Sequence, residues 1–197
     1  MDKFVMATAN PNKIIEIQNK IGNKHQFLSL KEIGCFEEIP ETSDTIEGNA
    51  LQKARHVFEN YGYHCFSEDT GLEIDALDGA PGVITAHYAG ENRDANANMD
   101  KVLREMQGIS NRKARFKTVI AVKMNSNEFL MEGIVYGTIS EVKRGNDGFG
   151  YDPIFIPDGY DRTYAEMSLE EKNKMSHRAL AVAKLKTFLA KYANEPF

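Results

Sequence analysis

The stretch FVMATANPNKIIEIQNKI, residues 4–21, decides the fold. It opens with a short apolar run from Phe4 to Ala7 and passes through polar turn residues. It then continues with isoleucines at helical spacing, at Ile14, Ile15, Ile17 and Ile21. A short apolar run before a turn is typical of a buried strand, and spacings of three and four are typical of one helix face. The stretch therefore predicts a strand, a tight loop and a helix in that order.

Beyond this unit, helical and strand patterns continue to alternate. Helical periodicity covers Asn49 to Tyr61 and Asp94 to Met106. Leu72 to Asp75 alternates apolar and polar residues as a half-buried strand does. Gly79-Ala80-Pro81-Gly82 then ends this strand with strong turn residues.

The second half of the chain holds a pair of β-rich runs and a C-terminal helix. Ala114 to Met124 and Glu128 to Ser140 are joined through Asn125-Ser126-Asn127, which predicts a hairpin. Ser168, with Glu171 three residues later, has the pattern of a capping box before a long amphipathic helix. Because helices separate the early strands and a strand pair follows, we predict an α/β fold with a mixed sheet flanked by helices.

The bulk composition excludes several classes of protein. The chain has 197 residues, of which 42% are hydrophobic, and we expect a single domain over residues 1–197. A net charge of -5 argues against non-specific binding to nucleic acid. No stretch approaches the roughly 20 apolar residues that span a bilayer, and the N-terminus lacks the apolar run of a signal peptide. Cys35 and Cys65 have neither the number nor the spacing of a disulfide framework or a zinc site. We therefore expect free buried thiols in a soluble cytoplasmic protein.

The segment Thr8-Ala9-Asn10-Pro11-Asn12-Lys13 lies where the first predicted strand gives way to a helix. Backbone N–H groups and the positive end of a helix dipole bind phosphate at such a point, and Lys13 stands beside them. The glycines and the Lys-Ser/Thr pair of a Walker loop are absent. An ordinary strand-to-helix turn is the alternative interpretation.

The segment Ser67-Glu68-Asp69-Thr70-Gly71 places two adjacent carboxylates and a hydroxyl at a strand edge or turn. Mg²⁺ takes one or two protein carboxylates and completes its octahedron with water and substrate phosphates. A sparse acidic site therefore suits phosphate chemistry. A solvated turn is the alternative interpretation.

The loop from Gly145 to Pro153 carries Phe149, Tyr151 and Asp152 among three glycines. Glycines let the backbone approach a flat ligand closely, and a ring stacked on a base contributes roughly 1–3 kcal/mol. Phe149 is therefore a candidate for stacking on a nucleotide base. The alternative is that both rings fill the core beneath the loop, Tyr151 in particular.

Lys172 and the run Ser176-His177-Arg178 supply three basic groups further on. Ser176 is the candidate N-cap of a helix whose first turn holds His177 and Arg178. The helix dipole disfavours cations there, and an anionic or carbonyl-rich ligand would offset that cost. The alternative is one continuous helix from Ser168 to Tyr192, with these residues on an exposed basic face.

Together these segments resemble the inosine triphosphate pyrophosphatase family, whose members hydrolyse non-canonical purine nucleoside triphosphates such as ITP, dITP and XTP. The resemblance covers almost the whole chain. It implies a two-lobed α/β fold with a long, mixed, twisted sheet and a substrate cleft between the lobes. It also implies a homodimer, and Mg²⁺-dependent cleavage of the triphosphate to the monophosphate and pyrophosphate.

The resemblance further implies roles for individual residues. Asp69 would be the proton acceptor and a metal ligand, with Glu41 and Glu68 as further metal ligands. Glu38 is the alternative to Glu41, because the acidic stretch aligns loosely. The implied substrate-binding residues are Thr8, Ala9, Asn10, Pro11, Asn12, Lys13, Lys53, Thr70, Phe149, Gly150, Tyr151, Asp152, Lys172, His177 and Arg178.

Three positions depart from the family pattern. Glu68 stands where the family commonly has aspartate, which moves a carboxylate by one methylene. Thr70 replaces the common serine and keeps the hydroxyl. Thr85-Ala86-His87 stands where Ser-Ala-Arg is usual, so a histidine takes the place of an arginine. Two other functions stay open, a non-catalytic nucleotide-binding module and a pyrophosphatase for other modified nucleotides.

Overall fold

The computed structural model describes residues 4–21 and 27–192, which contain one six-stranded mixed sheet. β1 pairs in parallel with β2 and β3, whereas β5 pairs antiparallel with β6. The order across the sheet is β2-β1-β3-β4-β5-β6. The strands are β1 (Phe4–Met6), β2 (Phe27–Ser29), β3 (Cys65–Ile74), β4 (Lys113–Met124), β5 (Asn127–Ile139) and β6 (Phe155–Pro157).

Helices precede and follow the strands as the sequence predicts, which confirms the α/β class. The Thr45 side chain accepts the N–H of Gly48 at the start of the second helix. Ser168 and Glu171 form the predicted capping box at the start of the fourth. The α-helices of the described ranges are α1 (Pro11–Ile21), α2 (Ile46–Tyr61), α3 (Ala95–Glu105), α4 (Leu169–Met175) and α5 (His177–Tyr192).

Strand β3 differs most from its prediction. It runs without a break from Cys65 to Ile74, whereas the sequence pattern predicts a strand only from Leu72 onward. The segment from Ser67 to Gly71 therefore lies inside a strand, and the solvated-turn interpretation is wrong. The physical reason is that Glu68 and Asp69 are buried, and ion pairs rather than water satisfy their charges.

The alternative of one continuous helix from Ser168 to Tyr192 is also wrong. α4 ends at Met175 and α5 begins at His177. Between them, Ser176 has extended backbone, with φ -68° and ψ 153°. His177 and Arg178 consequently lie in the first turn of a separate helix, and both are buried rather than exposed.

The described chain divides into two compact units, each with its own apolar core. The first unit holds the residues up to Asp69, Thr118–Gly133 and the residues from Arg178 onward. The second holds Thr70–Lys117 and Ile134–His177. In the first unit, side chains of α1 and α5 pack against alternate residues of β1, β3 and β4, among them Ile17, Ile21, Val182, Leu185, Phe4, Met6, Phe66, Ile120 and Val122. The second core includes Leu72, Ile74, Met99, Val102, Phe116, Ile139, Tyr151, Phe155 and Tyr164.

None of the helices within the described ranges combines the length and the apolar character that crossing a bilayer requires. Cys35 and Cys65 are both free and buried, as predicted.

Candidate active site

The alternation of side chains along β3 places the two adjacent carboxylates, the predicted base Asp69 and the predicted metal ligand Glu68, on opposite faces of the sheet. Successive residues of a strand point to opposite faces of a sheet. Ser67 faces α2, where its hydroxyl donates a hydrogen bond to the Ala50 carbonyl. Asp69 lies on the same face as Ser67, and Glu68 lies on the opposite face.

Asp69 forms an ion pair with Lys53 of α2, and Lys53 forms a second ion pair with Glu41. Lys53 Nζ lies 3.1 Å from Asp69 Oδ1 and 3.2 Å from Glu41 Oε2. Lys53 and Asp69 are buried, whereas the Glu41 side chain is 44% exposed. Burial raises the pKa of the Asp69 carboxyl above its ordinary value, against the opposing attraction of the Lys53 and Lys13 ammonium groups.

The charge balance of this group fits a divalent cation. Burial acts to lower the pKa of Lys53, but the carboxylates of Asp69 and Glu41 outweigh it, so that its pKa is raised. Two carboxylates thus share one ammonium, which leaves a surplus of negative charge when both are ionised. Carboxylate oxygens are the ligands that Mg²⁺ prefers, and it commonly uses one or two of them. Asp69 and Glu41 therefore have the right donor chemistry for a magnesium ion.

Glu68 lies on the other face of β3, among cationic side chains from two helices. Arg178 of α5 donates to it through Nη2–Oε1 and Nε–Oε2, each at 3.3 Å. Lys13 Nζ of α1 lies 3.6 Å from Glu68 Oε2. Burial lowers the pKa of Lys13, while the Glu68 carboxylate opposes that change. A two-point contact of this kind fixes the orientation of both Arg178 and Glu68.

The three predicted metal ligands are therefore not equivalent. Asp69 and Glu41 both contact Lys53, whereas Glu68 contacts Arg178 and Lys13. Within the described ranges, these carboxylates do not form a trio whose oxygen atoms all lie within 4.8 Å of one another. Metal binding by Glu68 stays a prediction.

The loop between β1 and α1 has the geometry of a helix N-terminus. α1 begins at Pro11, and Asn10 Oδ1 accepts the backbone N–H of Lys13 at 3.4 Å. Thr8 Oγ1 accepts the N–H of Asn10 at 3.2 Å. Ala9 and Asn10 are exposed. An exposed turn at the positive end of a helix dipole suits a bound anion.

In the second unit, Asp152 organises the glycine-rich loop. Its Oδ2 accepts hydrogen bonds from Lys172 Nζ at 2.6 Å and from the Phe149 N–H at 2.8 Å. Gly148 has φ 78°, and a Cβ at this position would lie 2.1 Å from Asp152 Oδ2. The Lys172 ammonium also lies 4.8 Å from the centre of the half-buried Phe149 ring. A buried ion pair therefore holds this loop in a defined conformation.

His177 belongs to an aromatic cluster of the same unit. Its ring stacks on Phe116, with centroids 4.6 Å apart and an interplanar angle of 20°. The centre of the Tyr164 ring lies 6.4 Å from the centre of the His177 ring and 5.7 Å from Lys172 Nζ. Neither Phe116 nor Tyr164 was predicted as a site residue. Each occurs in an ordinary apolar pattern, so only the packing reveals its position beside His177 and Lys172.

The remaining predicted positions show how the second unit is built. Tyr151 fills its core and donates its hydroxyl to the Thr85 carbonyl at 2.7 Å, which favours the interpretation of Tyr151 as a core residue. His87, for which the resemblance implies an arginine in the family, accepts a hydrogen bond from Arg93 Nε at 3.2 Å. Arg93 thus brings a guanidinium group to this position, which the sequence alone did not indicate.

Comparison with known proteins decides the family. The family model described as the Ham1 family matches residues 4–188. The chain belongs to the Ham1 family. A Flavobacterium psychrophilum relative named dITP/XTP pyrophosphatase is 53% identical over 186 residues, which cover 94% of this chain and 98% of the relative. A Bacillus subtilis relative of the same name is 46% identical over 193 residues, with coverage of 96% and 98%.

Solved structures of Ham1 proteins share the fold. The Staphylococcus aureus Ham1 protein matches with a TM-score of 0.90 at 34% identity, over 96% of this chain and 99% of that one. A HAM1 protein from Coxiella burnetii matches with a TM-score of 0.91 at 36% identity, over 97% and 100%. These Ham1 relatives confirm the family resemblance that the motifs indicated.

Proposed function

We propose that this Ham1 protein hydrolyses non-canonical purine nucleoside triphosphates, namely ITP, dITP and XTP, to the monophosphate and pyrophosphate. The observation that carries the proposal is the buried Lys53 ammonium shared by Asp69 and Glu41, in a chain about half identical to relatives named dITP/XTP pyrophosphatase. Removing the Lys53 ammonium and the Asp69 carboxylate from water is costly. A triphosphate accompanied by a divalent cation supplies the charges that would match them.

The first unit carries the groups that suit a triphosphate. The start of α1 presents backbone N–H groups from an exposed turn, and Lys13 and Lys53 add positive charge. Arg178 donates two hydrogen bonds to the Glu68 carboxylate, so Lys13 is not the sole cation that balances the negative charge of Glu68. The loop from Thr8 to Lys13 would bind the phosphates. Thr70, which follows Asp69 in the chain and belongs to the second unit, would also contact the substrate.

Asp69 is the proposed general base. Asp69 and Glu41 would hold a magnesium ion, which would supply positive charge to stabilise the transition state and would lower the pKa of the attacking water. Asp69 accepts the proton of that water as it attacks the α-phosphorus, and pyrophosphate leaves. Burial raises the pKa of the Asp69 carboxyl, whereas a divalent cation beside it would favour the ionised form that accepts a proton.

The second unit carries the groups that suit an oxopurine. Phe149 offers a half-buried ring for stacking, and Lys172 is held beside it by Asp152. His177 and the N–H groups of the Phe149 loop would donate to the 6-oxo group, and Arg178, which belongs to the first unit, is the other candidate donor. Adenine carries an amino donor at that position, and a mismatch of donors can reject a substrate by roughly 10⁴-fold.

We also propose a cytoplasmic homodimer, as the family resemblance implies. The free buried thiols of Cys35 and Cys65 suit a reducing compartment. Large apolar side chains on the surface, such as Phe36 at 80% exposure and Val142 at 61%, suit a contact between chains. Analytical ultracentrifugation of the purified chain tests the dimer directly.

A single assay tests the function. Pyrophosphate release is measured with ITP, XTP, GTP, ATP and the pyrimidine triphosphates, with and without Mg²⁺. We expect ITP and XTP to be cleaved in the presence of Mg²⁺, with kcat/KM well above the value for ATP. Asp69→Asn should nearly abolish turnover, whereas Asp158→Asn makes the same chemical change at an exposed position and should leave it intact.

The alternative functions give different results in the same assay. Tight nucleotide binding without pyrophosphate release would indicate a binding module, and a preference for pyrimidine triphosphates would indicate the other pyrophosphatase class. Equal kcat/KM for ATP and ITP would refute the donor model of base selection. Full activity of Asp69→Asn with unchanged Mg²⁺ dependence would refute the assignment of the base.

A further inference from the structure

Three side chains of different chemistry meet in the first unit, and none of them has a role in the function proposed above. Cys35 and Glu37 lie in the segment between β2 and α2, and His56 lies on α2. The Cys35 Sγ, a Glu37 carboxylate oxygen and a ring nitrogen of His56 all lie within 4.8 Å of one another. Within residues 4–21 and 27–192, no other group of three His, Cys, Asp or Glu side chains brings its ligand atoms within this distance of one another.

The donor set indicates which metal the group would take. A thiolate, an imidazole and a carboxylate are the usual ligands of zinc, whereas Mg²⁺ and Ca²⁺ bind oxygen. Zinc bond lengths of about 2.0–2.3 Å in a tetrahedron place the ligand atoms roughly 3.3–3.6 Å apart. His56 Nε2 and Glu37 Oε1 are 3.0 Å apart, so they are already close to this separation. The Cys35 Sγ lies within 4.8 Å of both atoms, so it needs to approach by about 1.5 Å at most to complete the tetrahedral separation.

Tyr61 supports Glu37 from outside the group. Its hydroxyl donates to both carboxylate oxygens of Glu37, at 2.6 and 2.8 Å. Hydrogen bonds of this kind orient a metal ligand and raise its affinity. His56 and Tyr61 both belong to α2, so one rigid element positions a ligand and the residue that orients another.

The group is closed on one side and open on the other. Cys35 is 3% exposed, whereas the side chains of His56 and Glu37 are 23% and 47% exposed. His56 also lines a polar surface pocket of about 470 Å³, together with Thr42, Ser43 and Gln52. Because the Glu37 and His56 side chains are partly exposed, an ion can reach them from solvent, and we assign the fourth position to water.

We propose that Cys35, Glu37 and His56 bind one zinc ion, with water as the fourth ligand and with Tyr61 orienting Glu37. On binding, the Cys35 thiol releases its proton to solvent, and the ion replaces the hydrogen bond between His56 and Glu37. The spacing of the two cysteines excluded a zinc site from the sequence. That argument considered the two cysteines alone, whereas the fold brings one cysteine together with a glutamate and a histidine from separate segments.

The test uses the full-length protein, stripped of metal by a chelator and dialysed, without nucleotide. Zinc is titrated in the presence of excess Mg²⁺, which occupies sites made of oxygen ligands, and bound zinc is counted per chain. Cobalt(II) serves as a spectroscopic probe, because a thiolate ligand gives a charge-transfer band that oxygen and nitrogen ligands do not. We expect one zinc per chain and a clear thiolate band.

The variants separate this site from other binding. Cys35→Ser and His56→Ala should each weaken zinc binding at least about 100-fold, and Cys35→Ser should remove the band. Tyr61→Phe should weaken binding about 10- to 100-fold, as loss of a group that orients a ligand does. Cys65→Ala removes the other thiol, which donates to the Ala54 carbonyl, and should keep both the stoichiometry and the band.

Circular dichroism checks that each variant is folded before the comparison is made. The proposal is overturned if the wild-type chain binds no zinc under these conditions. It is also overturned if Cys35→Ser and Cys65→Ala bind zinc with equal affinity. Because no nucleotide is present, neither outcome depends on whether the chain is a pyrophosphatase.

Discussion

The buried pair of Lys172 and Asp152 allows a quantitative test of how the second unit holds its glycine-rich loop. The two charged groups are 2.6 Å apart, and both side chains are 4% exposed. Lys172→Met keeps an unbranched chain but leaves the Asp152 carboxylate buried without the Lys172 charge, while the Phe149 N–H still donates to it. Breaking a buried pair by removing one partner costs about 3–5 kcal/mol. In a chain of this size, that cost corresponds to a fall in Tm of about 6–20 °C.

The same helix offers a matched control. Lys174 pairs with Glu170 at 2.8 Å, but the two side chains are 72% and 81% exposed. An exposed pair of this spacing contributes only about 0.3–0.5 kcal/mol. Lys174→Met should therefore leave Tm almost unchanged. Urea denaturation followed by circular dichroism gives the free energy of unfolding for both variants.

Two outcomes would refute the reasoning. If Lys172→Met and Lys174→Met lower the free energy of unfolding by the same amount, burial does not decide the strength of the ion pair. If the double variant Lys172→Met/Asp152→Asn is no more stable than Lys172→Met alone, the uncompensated Asp152 carboxylate is not the source of the loss.

Further predictions concern the proposed base and the glycines. The proposed base Asp69 acts as a carboxylate, so activity is lost as pH falls through its pKa. Burial raises this pKa, and the Lys53 ammonium opposes the rise. Lys53→Met should therefore move the acidic limb of the kcat/KM profile to higher pH. A limb that moves to lower pH would contradict this. Gly150→Ala meets no atom within 4 Å and should cost about 1–2 kcal/mol, from its left-handed φ of 66° alone. Gly148→Ala displaces Asp152 as well and should cost about 1–3 kcal/mol more in urea denaturation. Equal costs for the two glycines would show that the contact is unimportant.

The parts of the fold that the sequence predicted are those with a strong local pattern. The first strand ends at Met6 and α1 begins at Pro11, on either side of the predicted turn, and the hairpin between β4 and β5 turns at Asn125. Helical periodicity also located α2 and α3, with ends that differ by at most three residues from those predicted. In each case, the residues that determine the element are neighbours in the chain.

What the sequence missed depends on contacts between distant residues. β2 and β6 contain three residues each, too few to establish an alternating pattern, and their pairing partners define them. The early half of β3 was missed because its charged residues look like a turn until their partners are known. The pairing of Lys53 with Asp69 and the stacking of His177 on Phe116 likewise required the fold.

The position of Glu68 shows how one strand serves two separate sets of charges. Because Glu68 and Asp69 are adjacent on β3, a shift of register by one residue would exchange their faces and leave both carboxylates buried without their partners. Asp69 requires Lys53 of α2, whereas Glu68 requires Lys13 of α1 and Arg178 of α5. The burial of unpaired charge is costly enough that both sets favour the same register. The longer side chain of Glu68 therefore extends toward α1 and α5, on the face of the sheet opposite the group around Asp69.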